Sequence, residues 1–271
     1  MDRRKIENII IIILVLLNLF LLAVVISDRA QADRSSRETA KTVTALLKDG
    51  GISVSPDAKL LQSVPAVCSL TRDFTHEAEQ MAALFGSSGV EDLGGSIRFY
   101  RSDRGQAILR GTGEMDLLLT GGSVPLKGGR EKTAEKFLER AGVATGLWHD
   151  LPEEERAECC CLWDGMPVFN ARLACDFSGD NLFMVTGTLL FSKETERSTE
   201  DVMDAVSVLI RFVEIVRSEG FICSRLDALT PGYLVNVTVS GESSLTPVWH
   251  IETDTGELFI NAITGKTETV S

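Results

Sequence analysis

The chain has 271 residues, of which 44% are hydrophobic and 24% are charged. This composition is close to the globular average and excludes collagen-like, coiled-coil and wholly disordered classes, while the length fits one large domain or two small ones. The formal net charge of −12 indicates that nucleic acid is not a partner, because proteins that bind DNA or RNA usually carry a basic face.

Residues 9–26 form an uncharged apolar run that only Asn18 interrupts. As a helix, this run would be about 27 Å long, which is enough to cross a hydrocarbon core about 30 Å thick. It is also longer than the apolar part of a cleaved signal peptide. We therefore expect residues 9–27 to stay in the membrane as an anchor helix, although Ala30-Gln31-Ala32 resembles a cleavage site.

Basic residues lie on both sides of this run, so their number alone does not fix its orientation. The tighter cluster is in the short tail, residues 1–8, which contains Arg3, Arg4 and Lys5. Such a cluster favours the cytoplasmic side. We expect a single-pass protein of the cell membrane with a cytoplasmic N-terminus and an extracytoplasmic C-terminal domain.

Asn18 is the one strongly polar side chain near the middle of the run. A hydrogen bond between membrane helices contributes about 0.6–2 kcal/mol. We therefore predict that Asn18, together with Phe20, contacts another transmembrane helix. The alternative is a tolerated polar residue that bonds to its own helix backbone.

After a predicted juxtamembrane helix over residues 28–50, the same order recurs three times: one helix and then a run of short strands. The predicted helices are Thr75–Phe85, Arg130–Ala141 and Thr199–Ser218. The strands predicted after the third helix are Phe221–Leu226, Leu234–Val239, Val248–Glu252 and Leu258–Ala262.

The third helix carries the clearest signal. Ser198 and Asp201 resemble a capping box, and apolar residues from Val202 to Val216 recur in steps of four and three. A helix that covers one face of an antiparallel meander is an α+β arrangement. We therefore predict an α+β fold: an N-terminal transmembrane helix and then two extracytoplasmic lobes, residues 51–128 and 129–271, each a β-meander covered by a helix.

The six cysteines contain no C-x-x-C pair, which argues against a zinc knuckle or a thioredoxin-type site. The favoured interpretation is that Cys159, Cys160 and Cys161 are small apolar strand residues, with the first and third facing one side. The alternative is a disulfide that involves Cys175, which an extracytoplasmic location would permit.

Two motifs begin to resemble catalytic signatures. The stretch from His76 to Gln80 starts like H-E-x-x-H, but Gln80 stands where the second zinc ligand would be. Asp254-Thr255-Gly256 matches the triplet of aspartic proteases, which need two carboxylates that share a proton. With one copy present, we interpret it as a hairpin turn. We therefore expect no catalytic, cofactor-binding or metal-binding residues, no cofactor and no enzyme activity.

Both ends of the chain resemble one family. A short basic tail, an Ile-rich run and the block Leu17–Leu22 resemble the start of the YycI proteins of Firmicutes. The segment Thr246–Lys266 resembles the closing hairpin of that family and, more loosely, of PepSY-like domains. In that hairpin, a Trp strand precedes a strand of the pattern aromatic-x-Asn-Ala-x-Thr-Gly, matched here by Phe259, Asn261, Ala262, Thr264 and Gly265.

The resemblance implies a non-enzymatic role. YycI proteins are single-pass accessory regulators of a two-component system that controls the cell wall. They sit beside a membrane sensor histidine kinase, together with a YycH-like partner protein. Two alternatives stay open at this point: a PepSY-like inhibitor or chaperone of a secreted peptidase, and an extracytoplasmic sensor of a small ligand.

Overall fold

The computed structural model describes residues 41–56, 58–60, 62–86, 89–190, 192–198, 201–218, 220–237 and 243–270. The predicted anchor, with Asn18 and Phe20, lies outside the described residues. Within the ranges given above, no helix is both long and apolar enough to cross a bilayer.

The described residues contain four α-helices: α1 (41–49), α2 (Phe74–Phe85), α3 (Arg130–Glu139) and α4 (Ala205–Ser218). A short 3-10 helix covers Pro152–Glu154. The strands are β1 (Ser53–Val54), β2 (Cys68–Arg72), β3 (Gly89–Gly94), β4 (Ile97–Ser102), β5 (Gly105–Leu109), β6 (Glu114–Leu119), β7 (Thr145–Leu151), β8 (Arg156–Trp163), β9 (Met166–Ser178), β10 (Asn181–Thr188), β11 (Ser192–Arg197), β12 (Arg225–Val237), β13 (Ser243–Thr253), β14 (Gly256–Asn261) and β15 (Thr267–Glu268).

These fifteen strands form one mixed sheet. Its main path runs β11-β2-β13-β12-β9-β10-β6-β5-β4-β3, and the other five strands branch from β12, β13, β14, β8 and β9. The described strands pair antiparallel except at two contacts, β1 with β12 and β12 with β9.

The predicted α+β fold of two helix-covered lobes is therefore wrong. The protein is mostly β, with 48% strand and 22% helix, and its strands belong to one sheet. Strands from both sides of residue 128 pair directly: β6 pairs with β10, and β2 lies between β11 and β13. Separate meanders would leave rows of unpaired N–H and C=O groups at their edges, and these pairings satisfy them.

Three apolar clusters lie on the faces of the sheet. The largest lies under α2 and α3, and the second joins α1 and α4 to β12, β13 and β14. The third is small and contains Phe169, Leu234, Val248 and Phe259. Strands β12 and β13 contribute side chains to all three clusters, so they tie the two helix-covered faces together.

Strand β12 runs unbroken from Arg225 to Val237, where the sequence predicted two separate strands. Strand β9 approaches β12 so closely that a Cβ at Gly232 would lie 2.5 Å from both the Phe169 ring and the Pro167 carbonyl oxygen. Asn170 strengthens this contact, because its side-chain amide exchanges two 2.8 Å hydrogen bonds with the Val235 backbone. Gly232 is therefore a site of close strand approach within a continuous strand.

Helix α4 begins at Ala205, later than predicted, and the capping box at Ser198 and Asp201 is wrong. The Met203 N–H donates a 2.7 Å hydrogen bond to the carbonyl of Ala262, which directly follows β14. The helix therefore starts only after this contact, and the Asp204 carboxylate accepts a 2.8 Å bond from the Ser207 N–H at its first turn.

Candidate functional site

Helices α1 and α4 with strands β12, β13 and β14 form a helix-covered sheet, which we call the C-terminal unit. Helix α4 buries one apolar stripe against the sheet, made of Ala205, Val208, Leu209, Phe212, Val213 and Ile215. Val43 and Leu47 of α1 and the nearby Ile52 complete this cluster and are almost fully buried. The described residues nearest in sequence to the predicted anchor are thus part of the C-terminal unit.

The hairpin residues that carry the family resemblance hold the end of this unit together. The Asn261 side-chain oxygen accepts bonds from the N–H groups of Ile263 and Thr264 at 2.9 and 3.0 Å. Gly265 has φ +67°, and a Cβ there would lie 2.8 Å from the Met203 Cε atom. The Gly265 carbonyl accepts a 2.9 Å bond from the Arg211 guanidinium of α4. The contacts of these residues therefore hold the hairpin against α4.

Asp254 and Thr255 form the turn between β13 and β14, and Gly256 begins β14, which confirms the interpretation of this triplet as a hairpin turn. Asp254 receives hydrogen bonds from the Ser224 hydroxyl and from the backbone N–H groups of Ser224 and Arg225. These bonds lower the pKa of Asp254 to about 2, and the bond from the Ser224 hydroxyl contributes most. The carboxylate therefore fixes the entry into β12.

His250 lies on the face of the sheet opposite α4. Its ring stacks on Phe259 with centroids 4.5 Å apart and approaches Phe169 at 4.9 Å. Its Nε2 lies 2.8 Å from a Glu257 oxygen, and its Nδ1 lies 3.6 Å from Glu252. The imidazole is thus held by packing and by the hydrogen bond between its Nε2 and Glu257.

A cavity of about 260 Å³ opens beside α2. His76 and Gln80 both line it, because residues four apart lie on one face of a helix. We call it the His76–Gln80 cavity. The side chain of Gln80 is only 5% exposed, and its Oε1 has no hydrogen-bond partner. The other lining residues are Gly142, Val143, Ala144, Cys161, Leu162, Trp163, Asp164, Leu189 and Leu190.

Ionised pairs border this cavity. Arg197 bridges Asp164 and Glu194, and its Nε lies 3.0 Å from a Glu194 oxygen. The Arg197 guanidinium lowers the pKa of Glu194, and the hydrogen bonds to both carboxylates raise the pKa of Arg197. The exposed His76 imidazole, which also lines the cavity, lies 3.9 Å from a Glu79 oxygen. The Asp164 carboxylate at the rim therefore already has a partner in Arg197.

A buried polar network lies one helical turn before Gln80 and supports α2. Glu77 is fully buried, and its two oxygens accept 2.6 Å bonds from Arg72 Nε and from the Tyr100 hydroxyl. Burial and, to a smaller extent, the hydrogen bond to Glu77 raise the pKa of Tyr100 to about 12. Asp73 caps the N-terminus of α2, because its carboxylate accepts hydrogen bonds from the backbone N–H groups of Thr75 and His76.

Sequence reasoning missed this network and the role of Gln80. A signal was present: Glu77 and Gln80 recur with Met81 and Leu84 at the spacing of one helix face. Polar residues on an apolar stripe are buried, and buried polar groups need partners. Their partners come from distant segments and cannot be read from the helix alone.

All six cysteines are free thiols, so the alternative of a disulfide with Cys175 is wrong. Cys159 and Cys161 face the cluster under α2 and α3, as predicted for alternating strand residues. Burial raises the pKa of Cys161 to about 12 and also raises the pKa values of Cys159 and Cys175. These thiols are therefore protonated apolar strand residues, in agreement with the favoured interpretation.

Across the part of the chain that the structure covers, no group of three or more His, Cys, Asp or Glu side chains is placed to hold a metal ion. The predicted helix-contact residues, Asn18 and Phe20, lie outside that part.

Comparisons with known proteins show a limited likeness. No protein-family model matches the chain, and no curated protein matches it. A solved structure of an uncharacterized protein from Eubacterium rectale is similar over 81% of this chain and 90% of its own, with 11% identity and a TM-score of 0.46. A likeness at this level supports no conclusion about fold or function.

Proposed function

We propose that this protein is a membrane-anchored accessory regulator of a two-component sensor histidine kinase that controls cell-wall homeostasis. It acts by protein–protein contacts through its transmembrane helix and its extracytoplasmic domain. Its partners are the kinase and a YycH-like protein. The proposal rests on the anchor-like run of residues 9–26 and on the family resemblance at both ends of the chain.

One observation supports the proposal most directly. Val43 and Leu47 of α1 pack under α4 in the C-terminal unit, where they are 2% and 0% exposed. Between residue 27 and residue 41 the chain can span at most about 50 Å, even fully extended. The unit that contains the YycI-like hairpin therefore begins no more than about 50 Å from the end of the predicted anchor, which is within reach of the extracytoplasmic part of a membrane partner.

Such a regulator acts by binding one conformation of the kinase better than the other. Contacts of the kinase with the predicted anchor and with the C-terminal unit would both contribute to this preference for one kinase conformation.

The first experiment tests the anchor. Replacing residues 9–26 with an unrelated apolar helix should abolish co-purification with the kinase from membranes, and it should abolish regulation. The matched control restores the natural run in the same plasmid. If the swapped protein still co-purifies and still regulates, specific helix contacts are not required and this part of the proposal is wrong.

The second experiment tests the polar residue in the anchor. Asn18→Leu should weaken association in a membrane two-hybrid assay by roughly 3- to 30-fold, which corresponds to the loss of about 0.6–2 kcal/mol. The control, Leu17→Ile, changes the neighbouring residue without removing a hydrogen-bonding group. Equal signals for Asn18→Leu and for the control would remove Asn18 from the interface.

A further inference from the structure

We propose that a second cavity, between β7, β8 and β9, binds a free α-amino acid with an apolar side chain. The Arg172 guanidinium binds the carboxylate of this ligand, and the Glu158 carboxylate binds its ammonium group. The ligand's side chain packs on Phe169 and Leu147. We call this site the Arg172–Glu158 cavity. Its lining residues lie outside the C-terminal unit, so the proposal does not depend on the proposed contacts with a kinase.

The size and lining of the cavity indicate a small ligand with an apolar part. The volume is about 220 Å³, which is below the range of about 300–1,000 Å³ that is usual for small-molecule sites. More of the lining surface is apolar than polar, as in most such sites. The lining residues are Leu147, His149, Glu158, Cys159, Cys160, Phe169 and Arg172.

A bulge in β7 brings Leu147 to this cavity. The register between β7 and β8 shifts between Gly146 and His149, so Leu147 and Trp148 together oppose one residue of β8. Trp148 packs on the apolar cluster under α2 and α3, whereas Leu147 is 61% exposed. Leu147 also has φ +50°, in the left-handed region that residues other than glycine rarely adopt. Bulges and strained residues of this kind are frequent beside binding sites, where they redirect a side chain.

Arg172 brings a positive charge that no protein carboxylate offsets. Its exposed side chain donates from Nε to the Phe169 carbonyl at 3.0 Å, and no carboxylate pairs with the guanidinium among the described residues. The terminal N–H groups of the guanidinium are therefore left for an anion, and a carboxylate fits their geometry.

Glu158 brings a negative charge to the same face of the sheet. Arg172 lies opposite Cys160, and Glu158 lies two residues before Cys160, so the Cα atoms of these diagonal neighbours are about 7–8 Å apart. A Glu158 oxygen lies 3.7 Å from Nη1 of Arg156, which is longer than a hydrogen bond. Arg156 donates from its Nε to Asp176 at 2.7 Å. The Glu158 carboxylate therefore has oxygens left to accept bonds from an ammonium group.

An amino acid matches all three parts of the lining. An anion without an ammonium group would bring a negative charge beside Glu158, and an amine without a carboxylate would bring a positive charge beside Arg172. Like charges disfavour each other, so each such ligand is only half matched. An α-amino acid carries both charged groups on one carbon. Its apolar side chain removes the surface of Phe169 and Leu147 from water.

Isothermal titration of the full-length protein in detergent micelles tests the proposal with L-leucine, with D-leucine and with three compounds that each lack one group. The compound 4-methylpentanoate lacks the ammonium group, 3-methylbutylamine lacks the carboxylate, and glycine lacks the apolar side chain. We expect one enantiomer of leucine to bind about tenfold or more tightly than each of the three. No binding of either enantiomer, or equal binding of any of the three compounds, would overturn the proposal.

Two variants assign the charged groups of the ligand to their partners. Glu158→Gln should weaken leucine binding by about tenfold and reduce the preference for leucine over 4-methylpentanoate. Arg172→Gln should reduce the preference for leucine over 3-methylbutylamine. The control is Glu154→Gln, since Glu154 also lies 3.7 Å from Arg156 but is outside the cavity lining. This control should bind as the natural chain does, and an unchanged preference in either of the other variants would contradict the assignment.

A third variant tests the apolar wall and stands if the charge variants do not fold. Leu147→Ala changes a side chain that is 61% exposed, so it should fold as the natural chain does. It should reduce the preference for leucine over glycine by about threefold or more, because less apolar surface is removed from water. An unchanged preference would refute the contact between the ligand and this wall.

Discussion

The carboxylate of Glu77 should be the most sensitive polar group under α2. It is fully buried and accepts 2.6 Å bonds from Arg72 and Tyr100, and the Arg72 side chain is itself only 12% exposed. Glu77→Gln leaves the buried guanidinium without its counter-charge. Breaking a buried ion pair from one side costs about 3–5 kcal/mol, a large share of the about 5–15 kcal/mol that stabilises a typical protein.

Equilibrium unfolding in urea, followed by circular dichroism on the full chain in micelles, measures this cost. Glu79→Gln is the matched control, because that side chain is 73% exposed on the same helix and should change the free energy of unfolding by no more than about 0.5 kcal/mol. Loss of a charge from the first turn of a helix explains up to about 1 kcal/mol by itself. A cost for Glu77→Gln at or below that amount would refute the argument for a buried pair.

Three further outcomes are expected. Gly187→Ala should destabilise the fold by at least about 3 kcal/mol in urea unfolding, since Gly187 has φ +128° and a Cβ there would lie 2.0 Å from the Arg172 carbonyl oxygen; a cost under 1 kcal/mol would contradict this geometry. Cys223 is the least buried of the six thiols, so a thiol reagent at pH 8 should label it first, as peptide mass spectrometry would show, and earlier labelling of any other cysteine would count against the fold. The lowered pKa of Asp254 contributes stability above its ordinary value of 3.8, and that contribution is lost as the pH falls through about 2. Asp254→Asn should therefore show a weaker acid dependence of its unfolding midpoint between pH 4 and 2, and an unchanged dependence would disprove the role of these hydrogen bonds.

The sequence predicted elements whose signals are local. The bounds of α2 agree with the prediction within one residue, because its apolar stripe and the N-cap Asp73 are neighbours in the chain. The helix-then-strands order also holds for α2, α3 and α4.

The predictions that were wrong concern segments whose conformation depends on strands far away in the sequence. Strand β11, Ser192–Arg197, lies outside the predicted helices and strands, and it is extended because β2 pairs with it. The gap predicted around Gly232 is continuous strand because β9 packs against it. Both errors share one origin: pairing between remote segments decides whether such residues are extended, and local pattern does not contain it.

The candidate site divides in the same way. The placement of His76 and Gln80 on one face follows from their spacing, so the sequence contains half of the cavity. The facing wall, with Trp163 and Asp164, comes from the β8–β9 turn more than 80 residues later. The periodicity of α2 does not predict that this wall lies opposite the helix, because their relative position is set by the strands between them.

The position of β2 has a consequence for biosynthesis. Its neighbour β13 leaves the ribosome about 170 residues after β2 does. At about 5–20 residues per second, roughly 10–30 s pass before that neighbour exists, and long-range pairing of this kind is slow in its own right. During this time, β2 lacks one of its two neighbouring strands, even after β11 has been made. One edge of β2 is therefore unpaired until late in synthesis, and an unpaired strand edge is a template for pairing with another chain.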